Sequence, residues 1–286
     1  MYQAGLVLEG GGMKGLYTAG VLDYFLDKNL DFSSVYGVSA GACNMCSYLS
    51  KQRGRARDVN TDYLGDKNYC SFWSLLTTGD LFNVDFCYKL IPDYLYPFDH
   101  EAYQKYQGKA YSVVTNIVTG QAEYLRVKDS KRDMDMIQAS ASLPLMARNV
   151  RINDGLYLDG GIADAIPIAR SIRDGNRKNV VVLTKEEGYV RKPTDRFTLA
   201  LIKARYLKYP KVYELMAQRR ENYNETMDYL YRQVENGQAY VIRPKHASKV
   251  GRIEKNRERL LELYQQGYDE AASHYEGLME YLGKEV

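Results

Sequence analysis

No stretch of the 286-residue chain approaches the run of ~20 apolar residues that a transmembrane helix needs. The start, Met1-Tyr2-Gln3-Ala4-Gly5, lacks the basic segment and apolar run of a secretory leader. Cysteine is scarce. Cys43, Cys46, Cys70 and Cys87 do not look like a disulfide framework in a chain this long. These absences predict a reduced, cytoplasmic protein that does not cross a membrane, with peripheral contact at a membrane surface still compatible. An excess of one charge is missing too. The formal net charge is +3, too mild to point to a nucleic-acid partner. Only three histidines are present, His100, His246 and His274, and their mostly polar neighbours predict exposure. One Trp stands against 27 Tyr. Tyr has an apolar body and a polar tip and suits interfaces, including the edge of a membrane; compositional drift is the simpler explanation.

What is present is an ordinary globular composition, 45% hydrophobic and 26% charged. Leu6-Val7-Leu8 predicts a buried strand entering a glycine loop. Apolar positions from Leu16 to Leu26 keep helical spacing. Val35 to Val38 predicts a second strand, and Ala40 to Leu49 a second helix. This alternation predicts an α/β fold, three-layer α/β/α, with a mainly parallel central sheet. Lys51 to Pro97 predicts only short helices. Residues 111–116 and 122–127 form a predicted hairpin through Thr119-Gly120-Gln121. Met134 to Ala141 predicts a short helix, Leu156 to Leu158 a strand, and Val180 to Leu183 a buried parallel strand. Phe197 to Val234 predicts a charged helical region in two pieces split near Pro210. A strand at 239–243 and a helix at 253–282 follow. One domain over 1–286 is expected, with an α/β core at about 5–190 and a helical C-terminal part at about 195–286.

Gly37-Val38-Ser39-Ala40-Gly41 is a G-x-S-x-G sequence between a predicted strand and a predicted helix. A serine at such a turn has a strained backbone, so small residues must flank it; the following helix favours negative charge at its start. Glu9-Gly10-Gly11-Gly12-Met13-Lys14-Gly15 is the second motif. Bare amides at Gly10, Gly11 and Gly12 suit the oxyanion of a tetrahedral intermediate. The same loop fits G-x-G-x-x-G, so a nucleotide-cofactor enzyme is a rival reading. That fingerprint wants an acidic residue after the second strand, where this chain has Ser39; Asp31 precedes the strand. The third motif is Asp159-Gly160-Gly161, ending an apolar run. A carboxylate beside the serine can take its proton if burial raises a pKa that is ordinarily ≈ 3.9. Cys43 and Cys46 have metal or redox spacing without a second pair, and read as buried thiols.

The three motifs in this order resemble the patatin-like phospholipase family, over about Leu6 to Pro167. The resemblance implies a lipid acyl hydrolase with Ser39 as nucleophile and Asp159 as proton acceptor. Gly10, Gly11 and Gly12 then form the oxyanion loop, supported by Met13, Lys14, Gly15, Gly37, Gly41, Gly160 and Gly161. It also implies calcium independence, no metal and no cofactor. Ala141-Ser142-Leu143-Pro144 resembles a family segment upstream of the aspartate. The loop departs from the family's usual Asp and Arg by carrying Glu9 and Lys14, and Lys lacks the bidentate fork of Arg. The expected partner is a lipid or other ester substrate. A non-catalytic lipid-binding protein is the third reading. Tyr206, Tyr209, Tyr213, Tyr223, Tyr229 and Tyr231 in the charged helices are candidates for contact with anionic lipid. The sequence carries no signal for oligomeric state.

Overall fold

A strand buried along nearly its whole length must be covered on both faces, and the central strands here are of that kind. The computed structural model, which describes residues 1–283, places eight strands in one sheet with helices on both sides. The strands are β1 (Tyr2–Leu8), β2 (Phe32–Val38), β3 (Lys109–Asn116), β4 (Ala122–Arg126), β5 (Val150–Ile152), β6 (Gly155–Asp159), β7 (Asn179–Val182) and β8 (Ala239–Ile242). The helices in the first half are α1 (Gly15–Asp27), α2 (Ala40–Leu49), α3 (Arg55–Asp62), α4 (Phe72–Thr78), α5 (His100–Gln104) and α6 (Met134–Ser140). Those in the second half are α7 (Ile168–Arg173), α8 (Arg196–Arg205), α9 (Pro210–Ala217), α10 (Arg219–Glu235) and α11 (Arg257–Gly283).

The expected three-layer α/β/α architecture is what forms. Strands β3, β2, β1, β7 and β8 are neighbours in parallel, while β4, β5 and β6 join antiparallel. Successive side chains on a strand point to opposite faces. Leu6 and Leu8 of β1, Val35 of β2, and Val180 and Val182 of β7 enter one core with α1, α2 and α11. Val7, Tyr36 and Val181 enter the other, against Tyr223, Met227 and Leu230 of α10. Each such burial contributes about 1.5–3 kcal/mol. Helices α1 and α11 cross at two glycines. A Cβ on Gly20 would lie 2.0 Å from the Tyr264 carbonyl oxygen, and one on Gly267 2.1 Å from that of Tyr17.

The structure departs from or adds to the expected elements in several places. The charged region after Pro193 is three helices rather than two, because Tyr206 closes α8 and the chain turns again at Gln218 between α9 and α10. Strand β5, three residues long, gives too little periodicity to read, and Phe86–Leu95 is a π-helical segment containing Pro92. Of the six tyrosines proposed to face lipid, Tyr206 and Tyr223 are buried and the other four half-buried. A different use explains much of the tyrosine. Eight phenols donate to carboxylates, at Tyr17–Glu270, Tyr36–Asp174, Tyr96–Asp62, Tyr124–Asp164, Tyr157–Glu123, Tyr223–Glu9, Tyr264–Asp23 and Tyr268–Asp27. In the buried pairs, Tyr17–Glu270, Tyr223–Glu9 and Tyr264–Asp23, the ring packs while the hydroxyl satisfies an acid that would otherwise be costly to bury.

Candidate active site

Strand β3 pairs with β2 through Lys109–Val113 and with β4 through Tyr111–Thr115. These stretches overlap, so β2 and β4 hold opposite edges of β3. Strand β6 pairs with Val114–Asn116, overlapping β4, and therefore lies on the β2 edge. It runs antiparallel to β3 while β2 runs parallel, so β2 and β6 end head to head. Val38 faces Val113 and Asp159 faces Val114. The sheet thus delivers Ser39, the residue after β2, and Asp159, the last of β6, to one point.

Ser39 has φ 54 and ψ −122, a left-handed-side conformation that costs a non-glycine residue of order 1–3 kcal/mol. Its flanks show why only small residues fit. A Cβ on Gly37 would lie 2.5 Å from Ala42 Cα, and one on Gly41 2.4 Å from the Leu8 carbonyl oxygen. The turn is tied down from below. The Ser39 amide donates to Ser140 Oγ at 2.8 Å, and that hydroxyl donates to the Val113 carbonyl at 2.6 Å. Ser39 caps α2, which presents its partial positive charge there.

Asp159 is 2% exposed. Its amide donates to Ser142 O at 2.8 Å, within the Ala141–Pro144 segment noted in the sequence, and its carbonyl accepts from Thr115 Oγ1 at 2.8 Å. Oδ1 accepts the Gly161 amide at 2.8 Å. Oδ2 is buried and closes no hydrogen bond among the described residues. Burial pushes the Asp159 carboxyl above its ordinary value; the Ser39 hydroxyl, then Arg219, the Gly161 amide and Arg252, pull the other way. Gly160 lets β6 end against β3, since a Cβ there would lie 2.1 Å from the Val113 carbonyl oxygen.

The glycine loop lies against the serine turn. A Cβ on Gly10 would meet Ser39 Cβ at 2.8 Å, so only glycine allows this close approach. Gly12 has φ +58, and Gly15 packs on Ala40. The amides of Gly10, Gly11 and Gly12 donate to no other group among the described residues. Met13 is buried beneath the loop, and its amide donates to Arg252 O at 3.0 Å. Glu9 braces the loop: Oε1 accepts from the Tyr223 hydroxyl at 2.8 Å and Oε2 from the Thr184 amide at 2.6 Å.

Two cavities meet at Ser39. One, of about 190 Å³, is chiefly apolar, with Leu81, Phe82, Tyr88, Ile91, Ile137 and Met146 in its wall. The other, of about 230 Å³, lies over the glycine loop and Asp159, and Lys14, Lys185, Arg191, Arg219 and Arg252 face it. Gly12, Ser39, Leu143 and Arg252 line both. Of these cations only Lys14 was singled out in the sequence; the other four are scattered through loops and charged helices, without a local motif. Cys43 and Cys46 line the apolar cavity, where burial raises their thiols to about 11 and about 12. They are neutral packing groups at pH 7. None of the three histidines lines either cavity. His100 and His274 are half-buried rather than exposed, bonded to Ser130 and Tyr240, while His246 is exposed.

A family model described as patatin-like phospholipase matches residues 6–171. The chain belongs to the patatin-like phospholipase family. That match covers every patatin-like motif above, from the glycine loop to Asp159. A second model, a domain of unknown function (DUF6363), matches residues 209–283, which hold α9 to α11. Among curated proteins, the chain is 31% identical to the uncharacterized protein YjjU of Escherichia coli (strain K12) over 182 residues, 63% of this chain and 51% of that one. It is 23% identical to the probable lipid hydrolase 463L of Invertebrate iridescent virus 6 over 193 residues, 62% of this chain and 66% of that one. The matches thus span about half of the first relative and just under two thirds of the second. Among solved structures, VipD from Legionella pneumophila aligns with 97% of this patatin-like chain and 67% of its own, at TM-score 0.49 and 15% identity.

Proposed function

We propose that this protein is a serine acyl hydrolase that cleaves a carboxylic ester of a lipid, with a Ser39–Asp159 dyad. The carrying observation is the head-on meeting of β2 and β6, with a strained serine beside a buried carboxylate whose Oδ2 has no hydrogen-bond partner among the described residues. In this reading Asp159 accepts the Ser39 proton as the oxygen attacks the ester carbonyl. The free amides of the glycine loop hold the oxyanion. The alcohol leaves with a proton, and water then attacks the acyl-enzyme with Asp159 again as base. The apolar cavity takes the acyl chain. Family membership and the viral relative named as a probable lipid hydrolase support the choice of a lipid ester.

Approach to a lipid surface is assigned to α4, on which Phe72, Trp73 and Leu76 are 76%, 57% and 83% exposed. Leu81 and Phe82, just beyond α4 in the chain, line the apolar cavity. No helix among the described residues is long and apolar enough to cross a membrane. The test is fatty-acid release from mixed micelles of a phospholipid, a diacylglycerol and a short-chain ester. The wild type is expected to release acid, with Ser39→Ala silent. Release undiminished in Ser39→Ala defeats the proposal, and a wild type that binds lipid but releases nothing favours the lipid-binding reading.

A further inference from the structure

The five cations over the glycine loop have no counterpart in ordinary packing. Lys14 follows the loop, Lys185 and Arg191 come from the segment after β7, Arg219 opens α10, and Arg252 precedes α11. The carboxylates facing them are Glu9 and Asp159. Glu9 already accepts from the Tyr223 hydroxyl and from both the amide and hydroxyl of Thr184. None of the five cations forms a salt bridge among the described residues. Arg191 stacks on Tyr223 at 4.1 Å, yet its Nε is buried without a hydrogen-bond partner among the described residues. Arg219 spends one donor on the Gly161 carbonyl at 3.2 Å, and it sits at the end of α10 where a cation is least favoured.

Crowding leaves its mark on these groups. Lys185 is pushed down to about 8, first by desolvation; Glu9 opposes this, and Lys14, Arg191 and Arg252 add repulsion. Arg219 is pushed down to about 10 by desolvation and then by Arg191 and Arg252. Unpaired like charges cost a folded chain stability. An anion in the cavity removes that cost by giving the orphaned donors an acceptor.

We infer that this cavity binds the phosphate-bearing head of the lipid whose ester Ser39 attacks, and that the segment 209–283 completes the site by supplying Arg219 and Arg252. The inference rests on the ester-hydrolase reading for the step at Ser39, though not for the binding itself. The shared position of Ser39 in both cavities gives the substrate its layout: acyl chain on the apolar side, ester carbonyl at the serine, phosphate among the cations. A phosphodiester carries one negative charge and a phosphomonoester closer to two. The surplus of cations over carboxylates selects the phosphomonoester.

The full chain is assayed on 1-oleoylglycerol 3-phosphate and on 1-oleoylglycerol, which differ only in the head. The wild type is expected to favour the phosphorylated ester in kcat/KM by about tenfold or more. Arg252→Gln, at a residue exposed overall, lowers that ratio, and Arg219→Gln with Arg252→Gln brings it near one; Arg252→Lys retains part of it. A wild-type ratio near one, or a ratio untouched in Arg252→Gln, overturns the inference. Binding is read separately in Ser39→Ala by thermal shift. A rise in melting temperature with glycerol 3-phosphate, lost on adding Arg252→Gln, supports the subsite even where no ester is turned over, in which case only the hydrolase reading fails. No rise overturns it. Equal rises with inorganic phosphate, glycerol 3-phosphate and the lysolipid overturn the lipid head as the natural occupant.

Discussion

Val38 and Asp159 face neighbouring residues on one edge of β3, Val113 and Val114, and approach them from opposite directions. The approach of Ser39 and Asp159 is therefore a property of strand register, fixed by backbone hydrogen bonds rather than by a flexible loop. One consequence concerns pH. Asp159 accepts a proton only when ionised, and burial raises its pKa above 3.8. We expect kcat/KM to fall as pH drops through that raised pKa, with the acid limb above pH 3.8, and to move higher in Arg219→Gln, which loses a lowering influence. Stability runs the other way. Between the unfolded and folded pKa the folded state holds more protons, so the carboxyl costs stability as pH rises through that window. Asp159→Asn removes the cost. Its melting temperature at pH 7 should equal or exceed that of the wild type while activity drops about 10²–10⁴-fold. A variant that melts lower, with activity kept, contradicts this account.

The glycine loop makes a sharper demand at Gly12 than elsewhere. Its φ is +58, and a Cβ would meet the Arg252 carbonyl oxygen at 2.5 Å. Gly12→Ala must therefore displace the segment that the Met13 amide holds. Loss of one oxyanion donor predicts a fall of about 10²–10³ in kcat. KM is expected to rise as well, because the displaced segment carries Arg252, and a fully active Gly12→Ala would remove the loop from the mechanism.

Helix propensity and packing make opposite predictions for the crossing of α1 and α11. Alanine is favoured over glycine in a helix interior by about 1 kcal/mol. At Gly20 and Gly267 the added methyl would collide with backbone carbonyls at 2.0 and 2.1 Å. Packing should win, so Gly20→Ala and Gly267→Ala are each expected to lower unfolding free energy by about 1–3 kcal/mol in urea titration. An unchanged or raised midpoint would show that the two helices separate easily.

The face of α4 offers a built-in reporter, since Trp73 is the single tryptophan. Vesicles should shift its emission to the blue and protect it from iodide quenching, because the ring moves from water to the interface. Leu76→Ser is expected to weaken that response. Emission indifferent to vesicles would take the lipid surface away from this helix.

Much of this site could be read from the chain. Three short motifs placed Ser39, Asp159 and the glycine loop, because each obeys a local steric rule: a tight turn after a strand, small neighbours, a bare amide. The burial of β1, β2 and β7 on both faces was equally legible as apolar runs. What sequence could not supply is long-range. Lys185, Arg191, Arg219 and Arg252 come from separate loops and helix ends and converge only in three dimensions. The phenol–carboxylate pairs, such as Tyr17 with Glu270, join residues at opposite ends of the chain. The division of the charged region into three helices turned on Tyr206 and Gln218, neither of which carries a strong stop signal.

The central claim is most directly measured by reaction with a fluorophosphonate probe followed by peptide mass spectrometry. The account predicts one phosphonylated site, on the peptide carrying Ser39, absent in Ser39→Ala and strongly slowed in Asp159→Asn. Adduct on another residue, or labelling of Asp159→Asn at the wild-type rate, would contradict it.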